Sequence, residues 1–127
     1  MGTFYICPTP IGNLNDISTR LVQVLSEVNI VYAEDTRVAK KLLSHLNQKK
    51  EVRSYFKGNE VKKIDEILNF LEDNKSIAMI SDAGTPLISD PGSTLVKELI
   101  KRNVEIVSIP GPSSVIVSLT LSGFDTE

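Results

Sequence analysis

Tryptophan is absent from this 127-residue chain, and histidine and cysteine occur once each, as His45 and Cys7. A single cysteine cannot close an internal disulfide, and no Cys/His cluster could hold zinc. Cys7 sits in an apolar, strand-like run and reads as a small core hydrophobe, so a reducing cytoplasm is the expected setting. His45 falls in a basic helical stretch and reads as a surface residue. No apolar run approaches the ~18 residues that cross a bilayer. The opening MGTFYICPTP has no basic leader and no long apolar segment, so it does not read as a signal peptide. Familiar catalytic signatures are missing too. There is no GxGxxG after the first strand, no GxxxxGK[ST] phosphate loop and no GxSxG elbow with partners. Most redox and hydrolytic chemistries lose their usual residues.

Charge is nearly balanced overall, at −2, but unevenly placed. Between Arg37 and Lys63 stand nine basic residues against only Glu51 and Glu60, so that segment carries +7. The remainder has five bases against fourteen acids, or −9. A split of this size can draw a polyanion to one edge of the molecule; it also suits a solvated, lysine-rich helix face.

Apolar spacing sets out the elements. Thr3–Cys7, Ile30–Ala33, Val52–Phe56, Ile77–Ile80 and Val104–Ile109 read as strands. Helical spacing appears in Leu21, Val24, Leu25 and Val28, preceded by Asp16 or Ser18 as cap. It returns in Leu42, Leu43 and Leu46 of a basic helix over Arg37–Leu46, and in Ile64, Ile67, Leu68 and Leu71 behind a cap at Asn59. Pro91 suits the first turn of a helix carrying Leu95, Leu99 and Ile100, and Pro112 the start of a last one with Val115, Ile116 and Leu119. Strands alternating with helices predict an α/β fold: three layers, a mostly parallel five-stranded sheet and helices on both faces.

In such sheets ligands gather at the carboxyl ends of the strands. The unusual loops fall there: PTPIGN, EDTR, SDAGTP and PGPSS. In SDAGTP, Ala83 and Gly84 let a ligand lie against the main chain, and Pro86 stiffens the loop. Asp82 or Thr85 can accept a hydrogen bond, and Asp82 offers charge to a cation. Asp90 suits a helix cap. In PGPSS, Ser113 and Ser114 place hydroxyls and N–H groups at a helix start that favours anions; they also suit simple capping.

The set PTPIGNLNDIS, EDTR, SDAGTPLISDPG and PGPSS, in this order, resembles the tetrapyrrole methylase superfamily over essentially the whole chain. It is most similar to the branch that methylates a cytidine ribose hydroxyl in 16S ribosomal RNA. The resemblance implies S-adenosylmethionine as methyl donor, a homodimer and a two-domain subunit; no metal is expected. It implies that Ala83, Gly84, Thr85 and Ile88 line the adenosyl group, with Ser113 and Ser114 meeting the ligand and Pro10 shaping the floor. Asp82 would stand beside the sulfonium. Glu34, Asp35 and Arg37 are the candidates for orienting the ribose or assisting deprotonation, and Asp35 or Glu34 could equally just pair with Arg37. Arg37, Lys40, Lys41 and Lys57 are the candidates for ribosomal RNA phosphates.

Two departures from the family pattern stand out. Where the family has His-Glu-His-Asn-Glu, this chain has Phe56-Lys57-Gly58-Asn59-Glu60. The family's subunit also has a second domain that completes the cofactor pocket. The expectation is therefore an N-terminal methylase domain over residues 1–120, the start of a linker at 121–127, and no methyl transfer by this segment alone. Three other readings stay open: a methyltransferase of a small corrin or porphyrin, a non-catalytic dimerisation or interaction module, and a Mg²⁺-dependent phosphotransfer enzyme using Asp35, Asp82 and Asp90.

Overall fold

A computed structural model describes residues 1–7, 17–56, 58–80 and 93–109. Five strands alternate with four helices: β1 (Phe4–Cys7), α1 (Thr19–Glu27), β2 (Ile30–Ala33), α2 (Thr36–His45), β3 (Glu51–Ser54), α3 (Glu60–Glu72), β4 (Ile77–Ile80), α4 (Ser93–Lys101) and β5 (Ile106–Ser108). The strands form one sheet in the order β3-β2-β4-β1-β5, and every pairing is parallel. The expected α/β layering is observed.

Composition predicts position in the sheet. IVYA and IAMI are apolar throughout, and all eight residues are buried in the centre as β2 and β4. EVRS has three polar residues of four and lies at the edge as β3. Alternation then sorts the core into two halves. Phe4, Ile30, Tyr32, Ile77 and Met79 face α3 and α4, meeting Ile64, Ile67, Leu71, Leu95 and Leu99. Cys7, Val31, Ala33, Ala78 and Ile80 face α1 and α2, meeting Leu21, Leu25, Leu42 and Leu43. Helix α1 follows β1 onto one face and α4 follows β4 onto the other, so the connections diverge between these adjacent strands, the position at which parallel α/β sheets bind ligands.

Several element ends differ from the sequence reading. Ser18 caps α1, its Oγ accepting from Leu21 N at 3.1 Å. The third strand stops at Ser54, because its edge pairing with β2 ends at Ala33–Ser54 and the chain then turns toward α3. Asn59 occupies the α3 cap position but its Oδ1 accepts from Phe56 N instead, at 2.9 Å. Ile100 is 62% exposed, since α4 buries only the stripe through Leu95 and Leu99. The fifth strand is shorter than expected, at Ile106–Ser108. The helix starts at Pro91 and Pro112 lie outside the described residues.

Three helices share one stop signal. Asn47, Asn74 and Asn103 adopt left-handed φ values of 55°, 59° and 57° just past α2, α3 and α4. Each is followed by the same backbone bond across the last turn: Gln48 N to Leu43 O at 2.8 Å, Lys75 N to Phe70 O at 3.0 Å, and Val104 N to Leu99 O at 3.1 Å. These are Schellman closures, which satisfy carbonyls the helix leaves unpaired.

Candidate active-site rim and basic helix

The candidate site lies at the carboxyl edge of the sheet, where the chain leaves β1, β2, β4 and β5. Register brings three of these exits together. Cys7 pairs with Ile80, Ile6 pairs with Ser108, and Ile109 N donates to Ile6 O at 3.0 Å. The chain therefore leaves β4, β1 and β5 side by side toward the segments beginning at residues 81, 8 and 110. The candidate cofactor residues Pro10, Asp82, Ala83, Gly84, Thr85, Ile88, Ser113 and Ser114 belong to those segments and lie outside the described residues, as do Asp90 and Lys57.

The fourth exit, Glu34-Asp35-Thr36-Arg37, is described. Asp35 is the N-cap of α2: its Oδ1 accepts from Arg37 N at 2.9 Å. The same carboxylate receives Arg37 Nε at 3.2 Å on Oδ1 and an Arg37 terminal N–H at 3.1 Å on Oδ2. This two-point bond from Arg37 holds the Asp35 carboxyl below its usual range and raises the guanidinium. The Arg37 side chain is 90% exposed, so the pair is screened and a competing phosphate can reach it. Glu34 is exposed beside it. Of the three rim candidates, the structure joins Asp35 to Arg37. An Asp35 carboxylate held this way is a poor general base, because a depressed pKa makes it a weak proton acceptor.

The neighbouring strand adds a residue outside the earlier candidate set. Tyr55 N donates to Ala33 O at 2.8 Å, which aligns the chain after β3 with the EDTR turn. Phe56 then stands 43% exposed at this rim, with Val38 and Val61 also exposed in the first turns of α2 and α3. The signal lay in the sequence: an aromatic next to Lys57 where a strand ends.

The +7 segment divides on folding. Arg53 is consumed by Glu51 at 2.8 Å and Glu66 at 2.9 Å, and lies 5.0 Å from the Phe70 ring centre. Lys63 faces Glu66 at 3.6 Å. Lys50 turns inward and donates to Ser26 O and Val28 O, closing the end of α1. Lys40, Lys41, Lys49 and Lys62 remain exposed, and no acid among the described residues pairs with them. The unspent charge thus follows α2, which begins at the rim. Among the described residues no cluster of three or more acidic, histidine or cysteine groups could hold a metal ion. Among the same residues no helix is long and apolar enough to cross a membrane.

Residues 3–127 match the family of Tetrapyrrole (Corrin/Porphyrin) Methylases. The chain belongs to that family. Its curated relatives include the protein named Ribosomal RNA small subunit methyltransferase I from Buchnera aphidicola subsp. Schizaphis graminum, 46% identical over 99% of this chain and 44% of that protein. The protein of the same name from Thermotoga maritima is 44% identical over 98% of this chain and 56% of that protein. A third, from Vibrio cholerae, is 45% identical over 97% of this chain and 43% of that protein. The chain spans about half the length of these relatives. Among solved structures, uroporphyrin-III-C-methyltransferase from Thermus thermophilus superposes with a TM-score of 0.73 over 98% of this chain and 54% of that one, at 17% identity. That likeness concerns the fold of the methylase family alone.

Proposed function

We propose that this chain is the first domain of an S-adenosylmethionine-dependent methyltransferase that modifies a cytidine ribose hydroxyl of small-subunit ribosomal RNA. The observation that carries the reading is the 40–46% identity, across nearly the whole chain, to proteins bearing the ribosomal RNA methyltransferase name. The geometry supports it. The candidate donor-binding segments follow neighbouring parallel strands at their carboxyl edge, and an exposed basic helix starts at the same edge. The donor's sulfonium supplies an already activated methyl group. The protein has to bring the ribose hydroxyl into line with it and exclude water.

In this reading the segments holding Ala83, Gly84, Thr85, Ile88, Ser113 and Ser114 carry the adenosyl group, with Pro10 below and Asp82 near the sulfonium. Arg37 exchanges Asp35 for an RNA phosphate, and Lys40, Lys41 and Lys57 extend that contact. Phe56 offers a ring face on which an unpaired base can stack. A second domain completes the donor pocket, residues 121–127 begin the connection to it, and the working form is a cytoplasmic homodimer. Methylation of a small porphyrin instead would leave the exposed lysines of α2 without a task.

A ¹⁵N amide titration with S-adenosylmethionine, taken to millimolar ligand, tests the donor assignment. Shifts concentrated at residues 82–88 and 113–114 are expected; their absence at saturation of solubility overturns it. The substrate is read separately, with the complete protein and small-subunit particles. A ribose-methylated position resists alkaline cleavage, so a single new protected cytidine is expected. Methyl transfer to a porphyrin with none to RNA sinks the RNA reading.

A further inference from the structure

We infer that a cavity at the far end of α2 is a second RNA contact, a seat for a phosphodiester remote from the methyl-transfer rim. The inference rests on the RNA reading above and specifies where the strand runs.

The cavity has a volume of about 580 Å³, within the range of small-ligand sites. Among the described residues its charged lining is of one sign: Lys40, Lys49 and Lys50, joined by Ser44, Asn47 and Gln48, with no carboxylate. Lys40 and Ser44 follow i, i+4 spacing and so share one face of α2, and Asn47 lies just past its end. Lys49 and Lys50 come from the chain leaving that helix. Folding therefore converges cations that sequence spacing alone does not bring together.

The walls are stiff. Asn47 turns the chain at φ 55°, and the bond from Gln48 N to Leu43 O closes the helix end. The Gln48 side-chain amide donates to Val22 O of α1 at 3.2 Å. Lys50 Nζ is held at 2.7 Å from Ser26 O and 2.8 Å from Val28 O. An ammonium has three N–H donors, so one remains for a ligand, and its position is already set. The helix-end carbonyls carry partial negative charge that opposes an anion. Here those of α2 are engaged by the Schellman bonds and those of α1 by Lys50, which leaves the lysine charges dominant.

Location argues for a polymer rather than a lone anion. Helix α2 starts just after β2 at the carboxyl edge and ends where β3 begins at the opposite edge. Ten residues separate Arg37 from Asn47, about 15 Å of helix. Arg37, Lys40, Lys41 and Lys49 mark out this path with exposed cations. A single strand with its target ribose at the rim has its backbone a few nucleotides away at the cavity.

The test is fluorescence anisotropy with a labelled single-stranded RNA oligonucleotide across a salt series. The unaltered chain is compared with Lys49→Gln, and with Lys97→Gln as an equal charge loss on α4. Loss of one phosphate contact is expected to make the log K against log salt slope shallower by about 0.7, roughly a fivefold weaker affinity at 0.1 M salt. The α4 variant is expected to match the unaltered chain. RNA-induced amide shifts at Asn47 and Gln48 in the unaltered chain give a second readout that needs no substitution. An unchanged slope, or silence at those amides while RNA binds, overturns the cavity and leaves the RNA reading standing. No RNA binding at low salt overturns both. Displacement of the RNA by inorganic phosphate at micromolar levels reassigns the cavity to a free anion.

Discussion

Tyr32 donates its phenolic hydroxyl to Glu66 at 2.6 Å, joining β2 to the middle of α3. Glu66 also receives Arg53 at 2.9 Å, so one carboxylate ties the sheet, its edge strand and a helix together. Tyr32 is fully buried, and burial first, then Glu66, drives its pKa far above the ordinary phenol value. Tyr32→Phe is expected to cost about 1–2 kcal/mol, since Arg53 and Lys63 still partner the carboxylate. Glu66→Ala is expected to cost more, because it strands a buried hydroxyl and leaves Arg53 with Glu51 alone. Urea unfolding of the two variants gives the order; equal losses contradict this account.

Desolvation by burial raises the pKa of Glu66, but hydrogen bonds from Tyr32 and Arg53 and the charges of Lys63 and Arg53 outweigh it and hold the carboxyl below its ordinary 4.5. The unfolded chain therefore binds a proton here at a pH where the folded chain does not. The stabilisation is fully present above the unfolded value and is lost as pH falls through the lower folded one. Glu66→Gln is expected to flatten the acid side of a stability-against-pH curve and leave the neutral side parallel. An acid limb of unchanged steepness refutes the assignment.

Asparagine is a tolerable left-handed residue; β-carbons without its amide are less so. Asn103→Ala at φ 57° is expected to destabilise by roughly 1 kcal/mol, and Asn103→Gly to change stability by only a few tenths. Thermal melts distinguish them, and equal midpoints for Ala and Gly are incompatible with the cap geometry.

Asp35 has two tasks, capping α2 and holding Arg37, and one substitution separates them. Asparagine caps as well as aspartate, so Asp35→Asn keeps the helix while removing the charge that sequesters the guanidinium. Its RNA affinity is expected to rise. Arg37→Gln is expected to lower affinity and reduce the salt slope by about 0.7. If Asp35→Asn binds RNA more weakly, Arg37 is not the phosphate contact.

Burial pushes the Cys7 thiol up to about 12. The thiolate is the reactive form, so iodoacetamide at neutral pH is expected to leave the native protein unmodified and to alkylate it in urea. Mass spectrometry reads the result, and rapid native alkylation shows that the end of β1 opens.

Much of the fold is legible in single residues. The unbroken apolar runs IVYA and IAMI announce central strands, because only a strand covered on both faces has no polar side. Leu21, Val24 and Leu25 announce a helix face in the same way, and all are buried. The Asn stops in HLNQ, EDNK and KRNV were equally available as Asn after a helical run. The rim was legible as a place, because loop chemistry collects where parallel strands end. The partnership of Asp35 with Arg37 stayed ambiguous, since Glu34 stands one residue away and only side-chain geometry chooses between them.

Periodicity and composition by themselves determined which segments become strand or helix, their order along the chain, and the parallel α/β class, because these depend on local spacing and on which faces must be buried. The tertiary structure alone decided the order β3-β2-β4-β1-β5, the division of the basic segment into neutralised Arg53 and Lys63 and exposed Lys40 and Lys49, and the cavity beside α2. Those depend on which distant residues meet. Lys50 shows the reason: its neighbours in sequence mark it as a surface cation, but the end of α1, more than twenty residues earlier, turns it inward.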